Sequence, residues 1–413
     1  MPDIADPNVA DTLLTEAEAA IALAQSAGAD DAVARVSRRR GLQFKWRDGR
    51  VEDVQEEDTR GLALALYVDG RYSTHATSDL DPVRLKAFVE QAVALTRHHQ
   101  PDPNRQMSDP ALYEGRADVD LDLVDPSLVD RTRRERLAWC AELEERARAD
   151  ESVVSVTTQV HDDHGESARA SSNGFRGTES ATASTYGTAV TIREGETRRP
   201  EDHWYVAGTH LEGLPGRREV GAEALRRVLA RRGASKVSSR RTTMLVHPEA
   251  ASVLVGRMLG ALIAGAVQQR RSFLAEKQGE SIASAVLGIT DEPLRPRALG
   301  SCLFDGEGIA AKPRTIVEGG VLESFYVDTY YGRKLGWDPT TGSPSNIVLA
   351  QGDKDLDALV ADTTDAILVT SWIGGNANLT SGDYSFGVRG HVVKDGQLAE
   401  PVSEMNVTGN YLD

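Results

Sequence analysis

A helical stretch, a set of hairpin-like strand runs and a second helical stretch occur in that order twice within the first 233 residues. This repetition restricts the chain to folds built from two like α+β halves. In the first unit, about residues 11–99, Leu13, Ala17, Ala20 and Ala24 recur at helical spacing, and Gly28 stops the run. Leu42, Phe44 and Trp46 then alternate with Gln43, Lys45 and Arg47 as a strand does, and Asp48-Gly49 turns the chain into a second strand over residues 51–57. Another hairpin is predicted over residues 61–76, with Asp69-Gly70 as its turn. Asp81-Pro82 then opens a helix with Leu85, Phe88, Val89 and Ala92 on one face.

The second unit, about residues 127–233, repeats the order. Its first helix is expected over residues 128–149, burying Trp139, Cys140, Leu143 and Ala147. Strands are expected over 153–161, 166–172 and 175–192, with Asn173-Gly174 as a turn, and a closing helix over 217–232. Residues 100–127, rich in Pro and Asp, read as a connecting loop. Residues 1–235 are thus predicted to form one domain and residues 240–413 a second. The second is strand-rich, with helices over 248–267, 329–335 and 356–362 and turns at Glu318-Gly319-Gly320 and Asp395-Gly396. The predicted class is α+β: a duplicated helix–β-hairpins–helix N-terminal domain followed by a mainly antiparallel β C-terminal domain.

A net charge of −16 argues against a duplex-DNA-binding surface. The longest apolar run, residues 253–267, contains Arg257 and falls short of the roughly 20 residues a membrane helix needs. The opening ten residues have neither the basic start nor the apolar core of a secretory signal, so a cytoplasmic location is expected.

The chain has nine histidines, and none is followed by glutamate, so an HExxH metal helix is absent. His247 and Glu249 flank Pro248 at a helix start, a geometry unlike two ligands on a helix face. His161-Asp162-Asp163-His164 resembles a ligand cluster, but it ends in Gly165 and is expected to be a polar hairpin tip. Cys140 sits on an apolar helix face, and Cys302 near a turn is also assigned to packing. No GxSxG elbow occurs, and Gly319-Gly320 and Gly374-Gly375 lack the lysine and hydroxyl of a phosphate-binding loop. Arg226, Arg227, Arg231, Arg232, Lys236, Arg240 and Arg241 form a basic run without an acid. It is expected to be a solvated face or a partner contact rather than a nucleic-acid site.

Six blocks in the second half carry a resemblance. Residues 272–279 (SFLAEKQG), 304–308 (FDGEG), 317–322 (VEGGVL), 331–336 (YGRKLG), 375–387 (GNANLTSGDYSFG) and 401–410 (PVSEMNVTGN) stand in an order that resembles the TldD/PmbA family. That family has TldD-like members, which carry a zinc-binding HExxxH helix, and TldE/PmbA-like members, which lack it and serve as partner subunits. The resemblance places the metal helix on residues 255–260, where Val255, Gly256, Arg257, Met258, Leu259 and Gly260 supply no imidazole and no carboxylate.

The resemblance therefore implies a non-catalytic TldE/PmbA-type subunit of a heterodimeric zinc metallopeptidase that processes small or unfolded peptides. It implies no catalytic residue and no metal ligand in this chain, zinc in a TldD-like partner, and neither nucleic acid nor membrane as a partner. Candidate peptide-channel or partner-interface residues are Ser272, Phe273, Arg333, Lys334, Gly375, Asn376, Thr380 and Asp383. The glycines over 374–387 either admit the backbone of an extended peptide or serve a tight hairpin. Arg333 and Lys334 either meet a peptide carboxylate or partner, or are solvated at a helix end. Two alternative functions stand beside this one. One is a stand-alone peptidase holding metal through His161, Asp163 and His164, and the other is a peptide-binding adaptor.

Overall fold

The computed structural model describes residues 9–413. The first unit runs α1 (Val9–Ser26), β1 (Asp31–Arg47), β2 (Arg50–Val68), β3 (Arg71–Thr77) and α2 (Pro82–Thr96). The second runs α3 (Pro126–Val129), α4 (Arg133–Ala147), β4 (Val153–Ser171), β5 (Arg176–Ile192), β6 (Glu201–Gly208) and α5 (Arg217–Leu229). Their strands form one six-stranded sheet in the order β3-β2-β1-β4-β5-β6. The two halves therefore meet through the antiparallel β1–β4 pair, whose register is unbroken from Val33 opposite Ser171 to Arg47 opposite Thr157.

That uninterrupted register puts every even residue of β1 on one face. Ala32, Ala34 and Val36 are buried with α1 and α2, and Phe44 is buried with Trp139, Cys140 and Leu143 of α4. All four long helices of this half consequently cover one side of the sheet. The other side carries Arg35, Ser37, Arg39, Gln43 and Lys45. The helix starts are set locally: Asp81 accepts from the N–H groups of Val83 and Arg84, and Thr132 with Glu135 forms a capping box at α4.

Several sequence expectations are corrected here. β1 and β4 are single strands of 17 and 19 residues, so the first strand begins at Asp31, well before Leu42, the runs expected over 153–161 and 166–172 are one strand, and His161–His164 are not a hairpin tip. The polar pattern misleads because this sheet pairs charges with charges. Arg38 and Arg40 reach Asp58, Arg39 reaches Asp163, and Asp162 meets Arg136 beneath the helices. β6 had no counterpart in the sequence reading. The helix expected over 128–149 is two helices, because Thr132 starts a new one. The helix expected over 248–267 breaks at Ile263, which turns extended and bridges to Tyr326.

The C-terminal domain runs β7 (Thr243–Val246), α6 (Pro248–Gly260), α7 (Ala264–Gln268), β8 (Ile289–Asp291), β9 (Arg314–Glu318), β10 (Val321–Leu322), α8 (Thr329–Leu335), β11 (Ile347–Leu349), α9 (Leu356–Ala361), β12 (Asp365–Ala377), β13 (Asp383–Lys394) and β14 (Gln397–Asn410). These strands make two four-stranded sheets, β10-β9-β8-β11 and β14-β13-β12-β7, antiparallel except for β7 against β12. The expected α+β class and mainly antiparallel C-terminal domain are observed. Phe304 of this domain packs on Phe175 of β5's entry, ring centroids 5.0 Å apart. The missing side chain of Gly177 makes the space, since a Cβ there would lie 2.6 Å from the Phe304 ring.

Four residues of the basic run are hydrogen-bonded to acids outside it, one on the same helix and three distant in sequence. Arg226 and Arg227 hold Glu223, Arg227 also holds Glu249 of α6 at 2.7 Å, Arg232 holds Asp150 and Arg240 holds Asp365. Of these pairs, Arg227–Glu249 links α5 to α6 of the C-terminal domain. No helix among the described residues is long and apolar enough to cross a membrane.

Candidate functional site

β12 has two different edges along its length. It pairs with β7 only from Ala366 to Val369, whereas its pairing with β13 continues to Ala377. From Thr370 onward the β7 side therefore has no strand partner among the described residues, and Ile373, Gly374, Gly375 and Asn376 are exposed. Gly374 and Gly375 have φ of +112° and +127°, and a Cβ on Gly375 would lie 2.2 Å from the Ser385 carbonyl oxygen. Glycine is thus required at Gly375 by both torsion and space.

α6 begins where β7 ends. His247 caps it by accepting from the Glu249 N–H, and Pro248 fills its first turn. Only Ala250 and Leu259 of its 13 residues are buried, leaving Val253 39% exposed. The indole N–H of Trp372 donates to the Ala250 carbonyl at 2.8 Å and fastens α6 to β12. Beyond α6, a cleft of about 560 Å³ opens between Gly260, Ile263, Gln269 and Arg271 on one side and Ala377–Thr380 on the other.

Of the eight residues singled out from the sequence, Thr380 lines this cleft, and Ser272, Phe273, Gly375, Asn376 and Asp383 lie on the segments that flank it. The Ser272 hydroxyl donates to the Ala261 carbonyl at 2.6 Å, and the Phe273 N–H donates to the Leu379 carbonyl at 2.7 Å. The Phe273 ring stacks on Tyr411 with centroids 5.6 Å apart, and the Tyr411 hydroxyl donates to the Leu254 carbonyl of α6. Gly375 and Asn376 lie on the unpartnered edge. The Thr380 N–H donates to Asn378 Oδ1, and Asp383 accepts from Ser381 and Asn410, contacts that hold its carboxyl below the usual range.

Arg333 and Lys334 stand elsewhere. The Arg333 guanidinium donates to the carbonyls of Asn104, Gln106 and Met107, at 3.3, 2.9 and 2.6 Å, tying the connecting loop to α8. Lys334 Nζ sits 4.3 Å from the centre of the Tyr330 ring. The sequence reading missed Gln269, Arg271 and Leu379, which line the cleft, and Trp372 and Tyr411, which bond α6. Only the apolar Ile373 beside two glycines signalled an unusual strand.

The residues present do not fit a metal. The helix segment Val255–Gly260 offers no ligand, and no group of three or more His, Cys, Asp or Glu among the described residues is arranged to hold an ion. His161 and His164 are three residues apart on one strand and so point to opposite faces. His161 Nε2 bonds Asp163, whereas His164 is 3.4 Å from Ser180. The alternative metal set of His161, Asp163 and His164 is thereby overturned. Both thiols are poor nucleophiles: burial pushes Cys140 and Cys302 up to about 11.

Comparison with known proteins extends these observations. Models of the PmbA/TldA metallopeptidase match as domain 1 over residues 32–96, as the central domain over 126–232 and as the C-terminal domain over 239–413. The metalloprotease PmbA of Escherichia coli O157:H7 is 28% identical over 405 residues, 97% of this chain and 89% of that protein. A PmbA homolog of Haemophilus influenzae is 28% identical over 399 residues, covering 95% and 87%. A solved Bacteroides thetaiotaomicron protein, named for modulation of DNA gyrase, superposes with a TM-score of 0.93 at 37% identity over 96% of this chain and 91% of that one. TldE of Thermococcus kodakarensis shares the fold, with a TM-score of 0.83 at 18% identity over 96% and 92%. With three consecutive domains matched across most of its length, this chain belongs to the PmbA/TldD metallopeptidase family.

Proposed function

We propose that the chain is the non-catalytic, TldE/PmbA-type half of a two-subunit metallopeptidase whose zinc and base reside in a TldD-like, HExxxH-bearing partner. The observation that carries this reading is the composition of α6. Where the family resemblance sets a metal helix, residues 255–260 present aliphatic, thioether, glycyl and guanidinium groups. Zinc needs imidazole, thiolate or carboxylate donors, and its water needs a base.

The contribution of this chain is to hold substrate. An extended peptide laid along the β12 edge from Thr370 to Ala377 satisfies main-chain donors and acceptors without reading side chains. Such a site accepts many sequences but only unfolded or small ones, because a folded segment has its own backbone groups already paired. Gly374 and Gly375 let a second backbone approach closely. The exposed side of α6 and Ile373, 45% exposed, offers apolar surface to the partner chain.

Co-expression with an HExxxH-bearing relative tests the proposal. Peptide cleavage is expected from the mixture and from neither chain alone, with activity abolished by chelator. Cleavage by the isolated chain in the presence of chelator refutes it. A defined peptide bound by the isolated chain, with no TldD-like protein associating, replaces it with the adaptor reading.

A further inference from the structure

A second unpaired edge lies in the N-terminal half, on the far side of the six-stranded sheet from β6. β2 pairs with β1 along almost its whole length, but with β3 only from Leu62 to Val68. Residues 50–60 therefore have one bonded and one bare edge, and all eleven are exposed. At about 3.4 Å per residue this is a bare edge of roughly 37 Å. Natural sheets seldom leave so long an edge uncovered.

A cleft of about 770 Å³ adjoins it on the helix-covered side, between Glu56–Asp58, Arg40–Leu42 and the α3–α4 corner. Leu42, Leu128 and Val129 give it apolar walls. The carboxylates along β2 differ in their engagement. Asp58 is held by Arg38 and Arg40, Glu56 by Arg133, and Glu52 by Lys45 and Arg47. Asp53 and Glu57, opposite Lys45 and Gly41 in the register, have no Lys or Arg within 4.0 Å among the described residues. They lie on the open face of the sheet.

Charge disfavours a second copy of this chain in some registers only. Antiparallel self-pairing centred on Gln55 sets Arg50 opposite Arg60, Glu52 opposite Asp58 and Asp53 opposite Glu57. Centring on Val54 sets Glu52 opposite Glu56 but also Arg50 opposite Asp58, and centring on Glu56 sets Glu52 opposite Arg60. Like charges directly opposite are destabilising. Residues 50–60 carry five acids, Glu52, Asp53, Glu56, Glu57 and Asp58, against Arg50 and Arg60, so the edge as a whole favours a chain of the opposite sign.

We propose that residues 50–60 of β2 dock, by strand addition, an extended segment of a different polypeptide. That segment alternates basic side chains, which meet Asp53 and Glu57, with apolar ones, which enter the cleft beside Leu42 and Leu128. Main-chain bonds supply affinity and the alternating side chains supply selection. This site is separate from the β12 edge and stands whether or not the chain serves a peptidase.

Hydrogen exchange of the full chain tests it, with two blocked nonapeptides as probes, one alternating lysine and valine and the other glutamate and valine. A strand directs every second N–H outward, so the lysine peptide is expected to protect about half of the amides of residues 50–60. The glutamate peptide is expected to leave them unchanged. The double variant Asp53→Lys/Glu57→Lys changes only exposed groups and is expected to reverse the preference, with its melting temperature as the folding control. Absence of protection by either peptide overturns docking and makes the acidic edge a guard against aggregation. Equal protection by both overturns the charge selection.

Discussion

Replacing Asp162 by alanine separates a loop from a buried ion pair at the most misleading place in this sequence. Asp162 and Arg136 are each 6% exposed at the side chain, and Arg136 Nε lies 2.6 Å from Asp162 Oδ2. Ser184 donates to the other carboxylate oxygen at 2.6 Å, and Arg136 also donates to the Leu128 carbonyl at 3.0 Å. Deleting the carboxylate strands a guanidinium under α4, which costs about 3–5 kcal/mol for such a pair. For a domain of about 150–250 residues, each kcal/mol moves the melting temperature by about 2–4 °C, so a fall of roughly 6–20 °C is expected. Thermal and urea unfolding measure it on the full chain. The paired change Arg136→Met/Asp162→Leu is expected to recover most of the loss, because both charges leave together. His161→Ala, at a part-exposed side chain on the other face, is expected to cost less than about 1 kcal/mol. An Asp162→Ala variant as stable as the parent refutes the reasoning and restores a solvated tip.

Gly375→Ala puts a Cβ against the Ser385 carbonyl at a φ that only glycine adopts readily, a strain of about 1–3 kcal/mol. In a reconstituted peptidase it is expected to raise KM while the two chains still co-purify; unchanged kinetics would remove the β12 edge from substrate binding. Arg333→Ala frees three carbonyls of the connecting loop, so limited proteolysis is expected to nick residues 104–107 faster, and an unaltered digestion pattern counts against that clamp. Burial holds His75, His164 and His391 below the usual imidazole value. A depressed folded value means the unfolded chain binds protons first, so stability present above about pH 6.5 is lost as pH falls below it. His391→Gln is expected to flatten the loss of melting temperature between about pH 7 and pH 5, and an unchanged slope excludes His391 from it.

The legible parts of this protein are those written in neighbouring residues. Asp48-Gly49, Asp69-Gly70 and Asp395-Gly396 close hairpins through left-handed torsions that these residue types accept, and Asp81-Pro82 starts a helix by capping its own N–H groups. The duplicated order of elements and the empty helix over residues 255–260 were equally visible, since one is a periodicity and the other a matter of which side chains exist.

What tertiary structure decided is where groups far apart in sequence cancel one another. Residues 161–164 read as a loop tip, and residues 37–41 carry no strand prediction, because their partners, Asp58, Arg136 and Arg39, lie elsewhere in the chain. Once β1 and β4 pair, the same residues are strand. The bare edge of β12 exists because β7 is only four residues long while β12 runs on beside α6. Arg333 is spent on the connecting loop because the fold brings that loop to α8. Local torsion and capping energies act within a few residues and can be read directly. Charge compensation and edge coverage depend on distances that chain folding alone sets.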